Sequence, residues 1–411
     1  MATVALPHDS AGRVPVAVAG ARRLDSVDLL RGIVMIVMAL DHARDFMMAP
    51  VYPPENLAHT TPLLFFTRWI THFCAPTFVF LAGTGAFLSG RRGRPIGQLQ
   101  RLLLTRGLWL VVIELTVVRF AWAFNFDYRF WVLQVIWAIG VSMIVLAALV
   151  RLPTAAIAAF GIGMIALHNL FDGIHVSGAA AVGQSPGAAL AATTLVGASA
   201  RDWIVALLHE PKLPVLYPLV PWIGVMAAGY AFGPLLLRPE RERRRALVRL
   251  GLGLTAAFVV LRLLNGYGDP SPWAPQRNAV FTLLSFLNTT KYPPSLLYLL
   301  MTLGPVIALL PLLERVRGAV ARIVTVYGRV PFLYYVAHLV LIHLASLAIG
   351  VAHGYPVRTF LVVWPFYPHE VGQSLGVAYL VWIGAVIALY PLCRWFAAVK
   401  ASRHDWWLSY L

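Results

Sequence analysis

Ten apolar stretches run through the chain, at roughly 29–48, 63–89, 104–124, 131–150, 154–171, 214–237, 247–265, 294–313, 330–350 and 375–394. Each comes close to the ~20 residues that an α-helix needs to cross a bilayer. Lipid offers no partner for backbone N–H and C=O groups, so such runs cross as helices that satisfy themselves. The expectation is an all-α, polytopic integral membrane helical bundle of about ten transmembrane helices. Residues 1–22 lack a continuous apolar core and read as a disordered cytoplasmic tail. Residues 23–411 read as one membrane domain.

Charge gives the orientation. The chain carries a net charge of +16, yet only 12% of its residues are charged. The arginines gather in short blocks between apolar runs, such as "RRGRPIGQLQR" (91–101) and "RPERERRRALVR" (238–249). That is the pattern of cytoplasmic loops under the positive-inside rule, and it excludes nucleic acid as the reason for the charge. With the N-terminus inside, about 23 of the 33 Lys and Arg residues fall on the inner side. An even number of spans places both termini in the cytoplasm, in an inner or plasma membrane. The closing "RHDWWLSYL" reads as an interfacial anchor, because Trp and Tyr favour the headgroup layer. Cys74 and Cys393 fall in different halves of the membrane, so they read as two packed thiols. No metal-ligand spacing is present, and no metal is expected.

The first span holds the main anomaly. Its unbroken apolar run is Ile33 to Leu40, and counting back to Leu29 gives only about 18 Å of helix against the ~30 Å hydrocarbon layer. The helix must therefore continue through "DHARDFMM" (41–48), carrying Asp41, His42, Arg44 and Asp45 into the outer half. Intramembrane charges are expensive and read as functional by default. Asp28, Arg31, Met35, Met38, His42 and Asp45 are spaced 3, 4, 3, 4, 3 and share one helical stripe, which could line a passage. In the second span, Arg68 and His72 lie one turn apart at a depth similar to that of His42. Lys291 and Tyr292 mark the outer mouth of the eighth span, where interfacial anchoring is an equal reading. In the ninth, depth counted from Arg329 puts His343 at the level of His42 and leaves His338 in the inner half. Gly83, Gly85 and Ser89 read as small residues that let helices approach. Arg119 and Arg262, near outer ends, read as snorkelling.

Several segments together resemble the heparan-alpha-glucosaminide N-acetyltransferase catalytic-domain family and its bacterial relatives. They are "RLDSVDLLRGIVMIVMALDHARDF", "FFTRWITHFCAPTFVFLAGTGAFL", "FLNTTKYPPSLLYLLMTLGP", "GRVPFLYYVAH" and "DWWLSYL", nearly the whole chain from about Arg23. More distantly, the chain resembles the acyltransferase-3 superfamily, in which an "LRG" start is followed eleven residues after the arginine by a histidine considered catalytic. Arg31 and His42 have that separation. The superfamily's second arginine, eleven residues further on, is absent, since position 53 is Pro53, and Arg44 or Arg68 are the substitutes. The animal lysosomal enzyme has its proposed histidine in the following loop. Here the ungapped counterpart is Pro62 and the nearest histidine is His59, which favours His42.

The resemblance implies transfer of an acyl group, acetyl above all, from cytosolic acyl-CoA to a hydroxyl or amine of a sugar or envelope glycan at the other face. His42 is then the candidate general base, with Asp41 or Asp45 orienting its ring. Arg68 and His72 are candidates to stabilise the oxyanion. Arg31 and Arg329 are candidates for the acyl-CoA phosphates, and His338, Lys291 and Tyr292 complete that binding set. The expected surroundings are membrane lipid, with a homodimer as an open possibility. A proton-coupled transporter is the alternative, because buried Asp, His and Arg also build proton relays; a scaffold without catalysis is a third.

Overall fold

The computed structural model describes residues 25–48, 52–128, 131–177, 195, 197–362, 369–403 and 405–410. The expected N-terminal tail lies outside them. The described residues are helical, with isolated bridges and no strands. Every one of the ten apolar stretches falls on helix. Seven helical segments are long and apolar enough to cross a membrane. Their outward faces are apolar at helical spacing: Leu104, Leu108 and Val112 on one helix, Leu380, Ile383 and Ile387 on another, all exposed. In water such stripes would be a liability, whereas against lipid chains they are the expected surface.

The first span is α1, Asp25–Met48, and it runs through the "DHARDFMM" segment without a break. The second is two helices, α2 (Pro62–Thr71) and α3 (Cys74–Gly90), with a turn at 72–73. Thr61 caps α2 by accepting from the Leu64 N–H, and Pro62 fills the first turn. The third begins earlier than expected, as α4 (Ile96–Ile113), and passes through a π-turn at Glu114–Val118 into α5 (Arg119–Ala123). The π-turn aims Glu114 at the start of α6 (Val135–Leu149), where its carboxylate accepts the Trp137 N–H at 3.0 Å. That contact replaces the side-chain cap which Gln134 does not supply. At 15 residues, α6 falls short of the ~20 that a full crossing takes.

The remaining elements are α7 (Thr154–Leu167), α8 (Ala200–Leu208), α9 (Leu219–Leu236), α10 (Glu240–Leu264), α11 (Ala279–Leu287), α12 (Leu296–Leu313), α13 (Ala319–Arg329), α14 (Pro331–Ala352) and α15 (Leu375–Ser402). The closing aromatics sit on a short turn at Trp406–Ser409. Trp406 is exposed there, while the Tyr410 hydroxyl pairs with Thr105 at 2.7 Å.

Helix α1 is the hub: α2, α3, α12, α13, α14 and α15 all pack on it. Several crossings are closer than a side chain allows, and two of them position the elements around α1 and α3. A Cβ at Gly83 would sit 2.0 Å from the Met226 carbonyl oxygen, and one at Gly229 2.0 Å from that of Phe80, which brings α3 against α9. Gly85, by contrast, faces open space and has no part in this contact. At the second crossing a Cβ on Gly328 would lie 1.8 Å from the Asp28 carbonyl oxygen, and one on Gly32 2.0 Å from that of Val324. This seats α13, part of a segment read from sequence as a cytoplasmic loop, against the N-terminal half of α1. As a result α14 starts close to the level of Gly32.

Arg119 and Arg262 are buried rather than snorkelling freely. Arg119 bonds the carbonyls of Asn125 and Asp127. Arg262 bonds those of Ser271, Ser285, Phe286 and Asn288. It also faces Asp269 at 3.8 Å. Asp269 in turn accepts from the Thr290 N–H and from the hydroxyls of Thr290 and Ser295. Together these contacts fix the loop that carries Lys291.

Candidate active site

A cavity of about 580 Å³ opens beside the C-terminal half of α1. Met38, Asp41, His42, Arg44 and Asp45 of α1 form one wall, with Arg68 and Cys74 opposite. Loop residues Glu55, Asn288, Lys291 and Tyr292 close it at the Met48 end of α1, and Trp122, Gln134, Tyr217 and Tyr335 supply further lining. The helical phase read from sequence thus holds for Met38, His42 and Asp45. It does not extend into a passage, because Met35 is packed in the core at 2% exposure and the α1 lining ends at Met38.

The charges pair almost completely. Asp41 is the centre: Oδ1 meets Arg44 at 2.8 Å, and Oδ2 meets Arg68 at 2.5 Å and Lys291 at 3.8 Å. Arg44 also holds Asp45 at 2.5 Å. Arg68 reaches Glu55 through Nε at 2.7 Å, so its planar fork joins two carboxylates from two segments. Three carboxylates, Asp41, Asp45 and Glu55, thus face three cations, Arg44, Arg68 and Lys291. Five of the six are buried and Glu55 is half-buried, and burying such charges is tolerable only with this pairing.

Glu55 was not singled out from the sequence. A signal existed: it is the only acidic residue between Asp45 and Glu114, and it balances the third cation. Burial pushes the Glu55 carboxyl up, but the Arg68 guanidinium, helped by His72, outweighs burial and holds it well below the usual carboxylate range. Its contribution to stability is therefore present above the unfolded-chain value of about 4.3 and is lost as pH falls through the lower folded value. The Tm difference between the parent and Glu55→Gln is expected to be steady above about pH 5 and to close on acidification. A difference that widens in acid would contradict this pairing.

The structure redistributes several expected roles. Asp41 and Asp45 do not hold the His42 ring, since their hydrogen bonds and ion pairs go to the cations. The Nδ1 of His42 instead meets Nε2 of His338 at 2.7 Å. The depth count had put His338 too shallow and had given the level of His42 to His343. The Gly32–Gly328 crossing explains the error. His42 lies ten residues beyond Gly32, and His338 lies ten beyond Gly328, so the two arrive level. His343 points elsewhere, between the carbonyls of Ala121 and Phe360, and stacks on Phe124 with ring centroids 3.8 Å apart.

His72 is buried but does not line the cavity. Its Nε2 lies 3.5 Å from Glu55, and its ring rests 5.4 Å from that of Tyr298. Arg31 and Arg329 meet at the opposite end of α1, both on Asp28, at 3.0 and 4.0 Å. They are remote from the cavity. Lys291 and Tyr292 are inside it, as part of the polar centre rather than as outer anchors. Cys74 and Cys393 are both buried free thiols.

A bundle of lipid-facing helices enclosing a charge-balanced cavity with a histidine pair in its wall defines a polytopic membrane protein with a buried polar centre. The chain belongs to the family of heparan-alpha-glucosaminide N-acetyltransferase catalytic domains, which it matches over residues 23–262. No curated protein matches the sequence. The family match brings in Asp41, His42, Asp45, Glu55 and Arg68, and it stops short of Lys291, Tyr292 and His338. Those three join the centre only through the packing of α11 to α14.

Proposed function

We propose that this protein is a membrane acetyltransferase that moves an acetyl group from acetyl-CoA, or another acyl-CoA, to a hydroxyl or amine of a sugar or envelope glycan, with His42 as general base. The observation that carries this reading is the cavity itself, in which a partly buried histidine is exposed beside a paired cation cluster. Histidine suits the task because its unperturbed pKa lies near 6.5. His42 takes the proton from the acceptor O–H or N–H as the acceptor attacks the thioester carbonyl. The C–S bond then breaks, the acyl group stays on the acceptor, and the departing thiolate takes the proton from His42 to leave as the CoA thiol. The negative charge on the thioester oxygen needs a fixed cation in a site poor in water. Lys291 and Arg68, both in the cavity wall, suit that role better than His72, which acts through Glu55.

In this reading the chain crosses the inner or plasma membrane ten times with both termini in the cytoplasm. The cavity then faces the outer side, where an envelope acceptor arrives. About 580 Å³ suits a small acceptor together with the acyl end of the donor. Arg31 and Arg329 mark the cytoplasmic end of α1 and remain the candidates for the donor's phosphates. Mass spectrometry of envelope glycans and lipids, with and without the gene, tests the proposal. An acetyl-mass difference on one acceptor is expected, and identical profiles would count against it. A proton-coupled transporter using the same charges would leave no covalent product.

A further inference from the structure

We infer that His338 is a positioning residue that locks His42 in its Nδ1–H tautomer and so makes Nε2 the basic atom offered to the cavity. The inference rests on a chain of three groups. The carbonyl oxygen of Tyr334 can only accept, and His338 Nδ1 lies 2.7 Å from it, so His338 donates there. A neutral imidazole carries one N–H, which leaves His338 Nε2 with a lone pair. His42 Nδ1, 2.7 Å away, must then be the donor, and the His42 lone pair is on Nε2. The two rings lie within 3° of parallel with centroids 4.9 Å apart, a geometry that suits an edge-to-edge N–H···N bond.

Both rings are held. His338 is fully buried, with Tyr334 against its face and Tyr335 at its edge. His42 meets Trp122 and Tyr335 edge to face. This is the arrangement by which an outer partner sets the tautomer of a working histidine, with a second imidazole in the place usually taken by a carboxylate. The chain also ends at a carbonyl. A proton gained at His42 Nε2 cannot leave through Tyr334, so it returns to the cavity, which favours a base over a relay.

The catalytic arm of the test rests on the acetyl-transfer reading, and the spectroscopic arm does not. In full-length protein labelled with ¹⁵N-histidine, the His42 signals, assigned by their loss in His42→Gln, are expected to show Nδ1 protonated and Nε2 bare at neutral pH. His338→Leu is expected to abolish that signature and to lower kcat by roughly 10²-fold, with KM for the acyl donor little changed. His338→Gln, whose amide oxygen can accept from His42, is expected to restore part of both. Wild-type His42 protonated at Nε2 would overturn the inference with no variant needed. So would a tautomer that His338→Leu leaves unaltered. If the wild-type protein transfers no acyl group at all, the acetyl-transfer reading fails while the spectra still decide the tautomer.

Discussion

Arg68→Leu is expected to cost about 3–5 kcal/mol of stability, the usual penalty for breaking a buried ion pair on one side. The substitution removes the bridge between Asp41 and Glu55 and leaves both carboxylates in a low-dielectric wall. Arg68→Lys should recover little, because one ammonium cannot reproduce a fork that bonds two acids through Nε and Nη1. Adding Glu55→Gln to Arg68→Leu should restore part of the loss by removing one stranded charge. Thermal unfolding in detergent reads all three variants. An Arg68→Leu protein that melts with the parent would show that the charge cluster does not support the fold.

His42→Ala is expected to lower acyl transfer by roughly 10²–10⁴-fold, the range for losing a general base, while the protein folds as before. The ring is partly buried and takes no part in the charge pairs, so stability should change far less than in the arginine variant. The contrast between the two separates a residue that holds the site together from one that acts within it. If His42→Ala purifies folded and transfers acetyl groups at the parental rate, His42 is not the base.

Much of this was legible in the sequence because lipid leaves a helix few choices. The span of α1 followed from length alone: the apolar run is too short, so the charged segment had to continue it. Phase then put Met38, His42 and Asp45 on one face, and the cavity bears that out. Depth also brought Arg68 to Asp41, since α1 and α2 are antiparallel neighbours and their offsets can be counted from the same edge. The count failed for α14, because it assumed a helix starting at the membrane boundary. Two glycines, Gly32 and Gly328, let α13 sink against α1 and move the start of α14 inward. Nothing in local periodicity reports such a contact, so the His42–His338 pair was out of reach. Glu55 was missed for a different reason, as loop residues carry no phase. Arg262 was misread because the loop carbonyls that surround it are set by tertiary packing.

The central claim is that the cavity beside α1 performs covalent acetyl transfer. Its most direct test uses proteoliposomes supplied with radiolabelled acetyl-CoA and an extract of envelope glycans. The account predicts labelled acceptor formed together with one equivalent of free CoA thiol, with both signals lost in His42→Ala. Label that crosses the membrane without becoming bound to any acceptor, or product formed equally by His42→Ala, would contradict it.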